Sequence, residues 1–88
     1  MSNPFELLNL RSTSEGFRSR PSLYRDIQGG LFPPAFHVGK GGKCARWLAR
    51  ERQAIIAARI SGKSDNEIRE IVKKLVAARA EIYSEFAL

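Results

Sequence analysis

Apolar positions along the chain mark out its elements before any chemistry is considered. Leu23, Tyr24 and Ile27 recur at i, i+1 and i+4, the spacing of one helical face. Ser19 stands where an N-cap belongs, Pro21 is tolerated in a first helical turn, and Gly29-Gly30 supplies a stop. The pattern predicts a short helix over 20–28. Pro33-Pro34 then forbids helix. Phe36-His37-Val38 reads as a strand, Gly39-Lys40-Gly41-Gly42 as a turn and Cys44-Ala45-Arg46-Trp47 as a returning strand, together a small hairpin. A helix is expected over 48–61, with Gly62 ending it. Ser64-Asp65-Asn66-Glu67 is a capping box, and the helix it opens puts Ile68, Ile71, Val72, Leu75, Arg79 and Ile82 on one stripe. At the front, Phe5, Leu7, Leu8 and Leu10 read as an extended or turn-like segment that docks on the core. Ser12, Thr13 and Ser14 are candidate caps for a short helix from about Thr13 to Phe17.

The expected order is short helix, short helix, hairpin, helix, helix, a fold that is mostly α with a small β-hairpin. A two-stranded hairpin is marginal alone, so it must pack on the helices. In outline this is a winged helix-turn-helix over residues 1–61, followed by a C-terminal helical extension over 62–88. The extension has two readings, which can both hold. It completes the core, or its stripe of Ile68, Ile71, Leu75 and Ile82 mediates self-association, since exposed apolar area on a small protein marks an interface. With 88 residues the chain suits one domain with a modest core.

Charge sharpens the picture. The formal net charge is +6, and residues 11–52 carry nine bases against three acids. A localised basic field fits a polyanionic partner, and it also fits a surface kept basic for solubility. Cys44 is the only cysteine and His37 the only histidine, so no internal disulfide forms and no metal-ligating cluster is expected. No cofactor is expected either. One His, one Cys, no Gly-rich phosphate loop and no paired carboxylates beside a pocket argue against an enzyme. No apolar run reaches membrane-spanning length and no charged, apolar leader is visible, which predicts a cytoplasmic protein with no membrane partner.

The candidate chemistry sits in "FRSRPSLYRD", residues 17–26. A reading helix places its N-terminal residues in the major groove, where arginine pairs bidentately with guanine, and the positive end of its dipole favours phosphate. Arg18, Ser19, Arg20, Ser22 and Arg25 lie at or near that end, and Tyr24 offers a ring and a hydroxyl. Lys40, Gly41, Lys43 and Arg46 form the matching set on the hairpin, as a wing. Each group alone also suits an ordinary solvated surface; their pairing favours DNA.

"SRPSLYRDIQGGLFP", residues 19–33, resembles the Ser-Arg-x-x-Leu-Tyr-Arg-x-Ile-x-x-Gly-x-Phe-Pro signature of AlpA-type phage regulators and related excisionases. Gly39, Lys43 and Trp47 resemble that family's Gly-x-x-x-Arg-x-x-x-Trp hairpin with Lys in place of Arg, and Glu51 and Ala54 fall on its Glu-x-x-Ala. The resemblance covers about residues 7–60. It departs at the shortened first helix around Arg11–Gly16, at Arg18 and Arg52 where apolar residues are usual, and at Pro21 where Ser is common. It implies a MerR-like winged helix that binds double-stranded DNA. It also implies one of two roles: an excisionase, or recombination directionality factor, steering a tyrosine or serine integrase toward excision of a mobile element, or a transcriptional regulator of the element's genes. An excision factor is expected to bind the attachment region as a cooperative array of copies and to bend it. The tail's Gly62-x-Ser64-x-x-Glu67-Ile68 faintly resembles the turn of LuxR-type helix-turn-helix domains, but no third, reading helix follows. A different class, an interaction module acting through the tail stripe, would survive charge reversal of Arg20 and Arg25.

Overall fold

A computed structural model describes residues 5–84. Among them are four helices and three short strands: β1 (Leu7–Leu8), α1 (Leu10–Ser14), α2 (Arg20–Gln28), β2 (Phe36–Val38), β3 (Cys44–Leu48), α3 (Ala49–Ile60) and α4 (Asp65–Ser84). The strands form one antiparallel sheet in the order β1-β3-β2. Val38 stands opposite Cys44 and Phe36 opposite Arg46 on one side of β3, and Leu7 stands opposite Leu48 on the other.

The helix over 20–28 forms with the predicted bounds. The Ser19 hydroxyl accepts from the Ser22 N–H at 3.3 Å, and Gly30 takes the left-handed φ of 77° that follows the stop. The hairpin also stands where its pattern places it, with a single 3₁₀ turn over Lys40–Gly42. Gly39, Gly41 and Gly42 all have positive φ, so this turn requires glycine at those three positions. The front segment carries more structure than expected: Leu7-Leu8 is a third strand paired with β3. The neighbouring Glu6 carbonyl accepts from the Ala49 N–H at 2.9 Å, at the start of α3, which has no polar side-chain cap.

The first helix departs from the reading of 13–17. It spans Leu10–Ser14 and is capped by Asn9, whose side chain accepts from the Ser12 N–H at 2.8 Å. The three hydroxyl residues are not caps, because they lie inside the helix. Thr13 donates back to the Asn9 carbonyl at 2.6 Å and Ser14 to Leu10 at 3.0 Å, so both bury without unsatisfied oxygens. Arg52 of α3 then donates to the carbonyls of Thr13 and Glu15, which α1 leaves open at its end. That bond explains a cation at a position where an apolar residue is usual in the resembled family.

Leu23, Phe32, Trp47, Ile55, Ala58, Ile68 and Val72 form one core drawn from α2, β3, α3, α4 and the segment after α2. Ile68 is 0 % exposed, and Ile71 and Leu75 pack against the same cluster. Ile68 is therefore core, and Ile71 and Leu75 are half-buried against it, so the stripe contributes to the protein's own core. Ile82 lines an apolar groove of about 410 Å³ with Leu7, Phe36, Leu48 and Tyr83.

The capping box of α4 forms reciprocally. Glu67 N–H donates to the Ser64 hydroxyl at 3.2 Å, and Ser64 N–H donates to the Glu67 carboxylate at 3.0 Å. The Ser64 backbone N–H, and then its hydroxyl, hold the Glu67 carboxyl below the ordinary glutamate range. A carboxylate favoured in this way stabilises the fold above its unfolded-state pKa, and the effect is lost as pH falls through the folded value. Ser64→Ala is expected to destabilise the protein by about 1 kcal/mol in urea unfolding at neutral pH. An unchanged midpoint and slope would mean that the cap contributes nothing.

Candidate nucleic-acid interface

Six of the ten arginines fall into two groups once their partners are known. Arg18 belongs to the first. It makes a two-pronged pair with Asp26, Nε to Oδ2 at 2.9 Å and Nη2 to Oδ1 at 3.0 Å, and the Asp26 side chain is 8 % exposed. The pair ties the segment before α2 to the body of that helix. Arg18 is therefore a structural clamp as well as a residue beside the candidate face, and Asp26 is the buried partner that the sequence reading did not anticipate.

Arg52, Arg69 and Arg79 are similarly engaged. Arg69 Nε donates to the Gly29 carbonyl at 2.9 Å, closing the end of α2. Arg79 pairs with Glu51 through Nε to Oε2 at 2.9 Å and Nη2 to Oε1 at 2.6 Å, and also donates to the Pro34 carbonyl at 2.8 Å. Glu51 is 1 % exposed as a residue. An arginine on a stripe of Ile, Val and Leu was the available signal for this pair, since a cation facing a core needs a buried anion.

Arg20 and Arg25 form the other group. Arg20 is exposed and makes no hydrogen bond or ion pair among the described residues. Arg25 is exposed and donates only to the Ser22 hydroxyl of its own helix, at 3.2 Å. Ser19 and Ser22 bond to each other at 2.9 Å, so Ser19, Ser22 and Arg25 make one local polar chain from the cap of α2 to its last turn. Tyr24 is 49 % exposed, so it lies outside the buried face of α2, where the adjacent Leu23 is fully buried. The helix thus presents two guanidinium groups, two hydroxyls and a phenol to solvent. Guanidinium forks suit paired acceptors such as a guanine edge or a phosphate.

On the hairpin, Lys40 and Lys43 are exposed at the tip with no ion pair among the described residues, and Gly41 lies between them. Arg46 differs. It is half-buried in the middle strand and its Nη1 donates to the Ala45 carbonyl at 2.8 Å. No hydrogen bond or ion pair joins the α2 group to the hairpin group among the described residues; α4 bonds instead to the Gly29 carbonyl just past α2 and to the Pro34 carbonyl just before β2. Among the described residues, no group of three or more His, Cys, Asp and Glu is placed to hold a metal ion, and no helix is long and apolar enough to cross a membrane.

Comparison with protein-family models, with curated proteins and with solved structures found no significant match for this chain.

Proposed function

We propose that this protein is a sequence-specific binder of double-stranded DNA, with a winged-helix mode of reading. The start of α2 enters the major groove and the 36–48 hairpin acts as the wing on the phosphate backbone. The observation that carries the reading is the sorting of cations. Arg18, Arg52, Arg69 and Arg79 are bonded into the fold, whereas Arg20, Arg25, Lys40 and Lys43 are left facing solvent with no tertiary partner. α2 carries two of these guanidinium groups, Arg20 in its first turn and Arg25 in its last, on a capped helix; Arg11, exposed on α1, also has no ion pair among the described residues.

The resemblance of Ser19–Pro33 to excisionases supports the narrower role of a recombination directionality factor at the attachment region of a mobile element, with an integrase as partner. Copies lying side by side on that DNA would gain affinity through effective concentration. The same surface would serve a transcriptional regulator, and the location of the binding sites separates the two roles.

Lys40→Ala and Lys43→Ala test the wing. Each is expected to weaken attachment-region, promoter and random DNA alike and to lower the slope of log affinity against log salt by about 0.9 per lost phosphate contact. Salt titrations by fluorescence anisotropy measure this. Slopes equal to the unsubstituted protein's would remove the hairpin tip from the interface.

A further inference from the structure

α4 is bonded to the chain just past the end of α2 and just before the hairpin, the two elements that the proposed function assigns to DNA. Near its start, Arg69 bonds to the Gly29 carbonyl at the end of α2, and its stem lies over Gly30, where an added Cβ would sit 3.6 Å from Arg69 Cγ. Further along, Arg79 bonds to the Pro34 carbonyl just before β2 and stacks its guanidinium 5.5 Å from the centre of the Phe36 ring. The two arginines are ten residues apart, which is about 15 Å along a helix.

We propose that α4 is a brace that sets the position of the hairpin relative to α2, with Arg79 and Arg69 as its positioning residues. Its consequence for DNA binding rests on the proposed function; its effect on geometry does not. The hairpin needs such a brace for a physical reason. β2 is a three-residue edge strand, paired on one side only, and the tip beyond it contains three glycines with positive φ. β1 anchors β3 from its other side, but strand pairs this short leave the hairpin's outer strand and tip weakly oriented. Its base is fixed instead. Trp47 Nε1 donates to the Pro33 carbonyl at 3.1 Å, and the next carbonyl, that of Pro34, is taken by Arg79. Arg79 is in turn held by both oxygens of Glu51 on α3, and a two-pronged guanidinium–carboxylate pair has a defined orientation. Two readers held at a set spacing bind one DNA site without ordering themselves on arrival, which is the advantage of preorganisation.

Cys44 offers the test. It is the only cysteine, it is exposed, and it follows Lys43 at the start of β3. A spin label there, with a second on Gln28→Cys at the exposed end of α2, reports the helix-to-hairpin distance in the full chain without DNA. The informative variant is Glu51→Leu with Arg79→Met, which removes the Pro34 tether and leaves no buried charge behind. Arg79→Lys is the second variant, keeping a cation beside Glu51 without the fork that reaches Pro34. The distance distribution is expected to broaden in both while the circular dichroism spectrum and cooperative unfolding persist. An unchanged distribution in a folded variant overturns the brace. On DNA, adding Lys40→Ala and Lys43→Ala to the Glu51→Leu/Arg79→Met background should cost fewer fold in affinity than in the unsubstituted background, because the wing is already misplaced. Equal fold-losses in the two backgrounds overturn the link to DNA reading. Should the unsubstituted protein bind no DNA, the proposed function fails, and the distance measurement still decides the brace.

Discussion

Arg79→Ala is expected to destabilise the protein by about 3–5 kcal/mol, because it strands a buried carboxylate. Glu51 is almost fully buried, and both of its oxygens are bonded by Arg79 at 2.6 and 2.9 Å. Removing the guanidinium leaves that carboxylate in the interior with neither charge nor donor to face it. It also frees the Pro34 carbonyl at the base of the hairpin. For a domain of this size each kcal/mol moves the melting temperature by about 4–8 °C, so the variant sits near the edge of folding at moderate temperature. Urea unfolding checks the size of the loss. A cost under about 1 kcal/mol would mean that the pair is no more than a surface ion pair. Glu51→Leu combined with Arg79→Met should recover most of the loss, since replacing both partners by apolar groups leaves nothing unpaired.

The second large effect falls on DNA and leaves the fold alone. Arg20→Ala with Arg25→Ala is expected to weaken binding to the cognate site by roughly 2–6 kcal/mol, taking about 1–3 kcal/mol for each bidentate contact. Stability should change by no more than about 0.5 kcal/mol, as for surface substitutions away from special features. Neither arginine bonds to another element: Arg20 has no partner among the described residues and Arg25 has only Ser22. Arg20→Ala alone should also relax base preference at one position of the site. Equal losses on cognate and random DNA would make Arg20 a phosphate contact instead. A full loss of structure would show that these side chains hold the fold in a way that their exposure does not suggest.

Much of this was legible in the sequence because the signals were local. Ser19, Pro21 and Gly29-Gly30 bracket α2, Ser64 and Glu67 start α4, and Pro33-Pro34 with the glycine cluster frames the hairpin. Cap and turn chemistry acts within four residues, so it can be read in order along the chain. What stayed hidden was long-range. Leu7-Leu8 became a strand only because β3 offers it a free edge, and two residues carry no strand pattern of their own. Arg18 pairs with Asp26, Arg52 with carbonyls near residue 13, and Arg79 with Glu51 across 28 positions. These pairings decide which cations are structural and which are free. The alternation of charge along the sequence contains no such information. The α4 stripe shows the same limit. Its periodicity identified an apolar face correctly, but only the packing of Ile68 and Val72 with Trp47 and Ile55 tells that the face contributes to the protein's own core.

We propose that α2 and the hairpin read DNA by sequence. A gel-shift titration of the full chain tests it most directly, using DNA from a candidate attachment region, promoter DNA and random DNA of equal length at physiological salt. The account predicts tight shifts on attachment DNA that survive random competitor and weaken by orders of magnitude in the Arg20→Ala/Arg25→Ala protein. Equal, strongly salt-sensitive binding to all three DNAs would contradict it, leaving a basic surface with no reading helix.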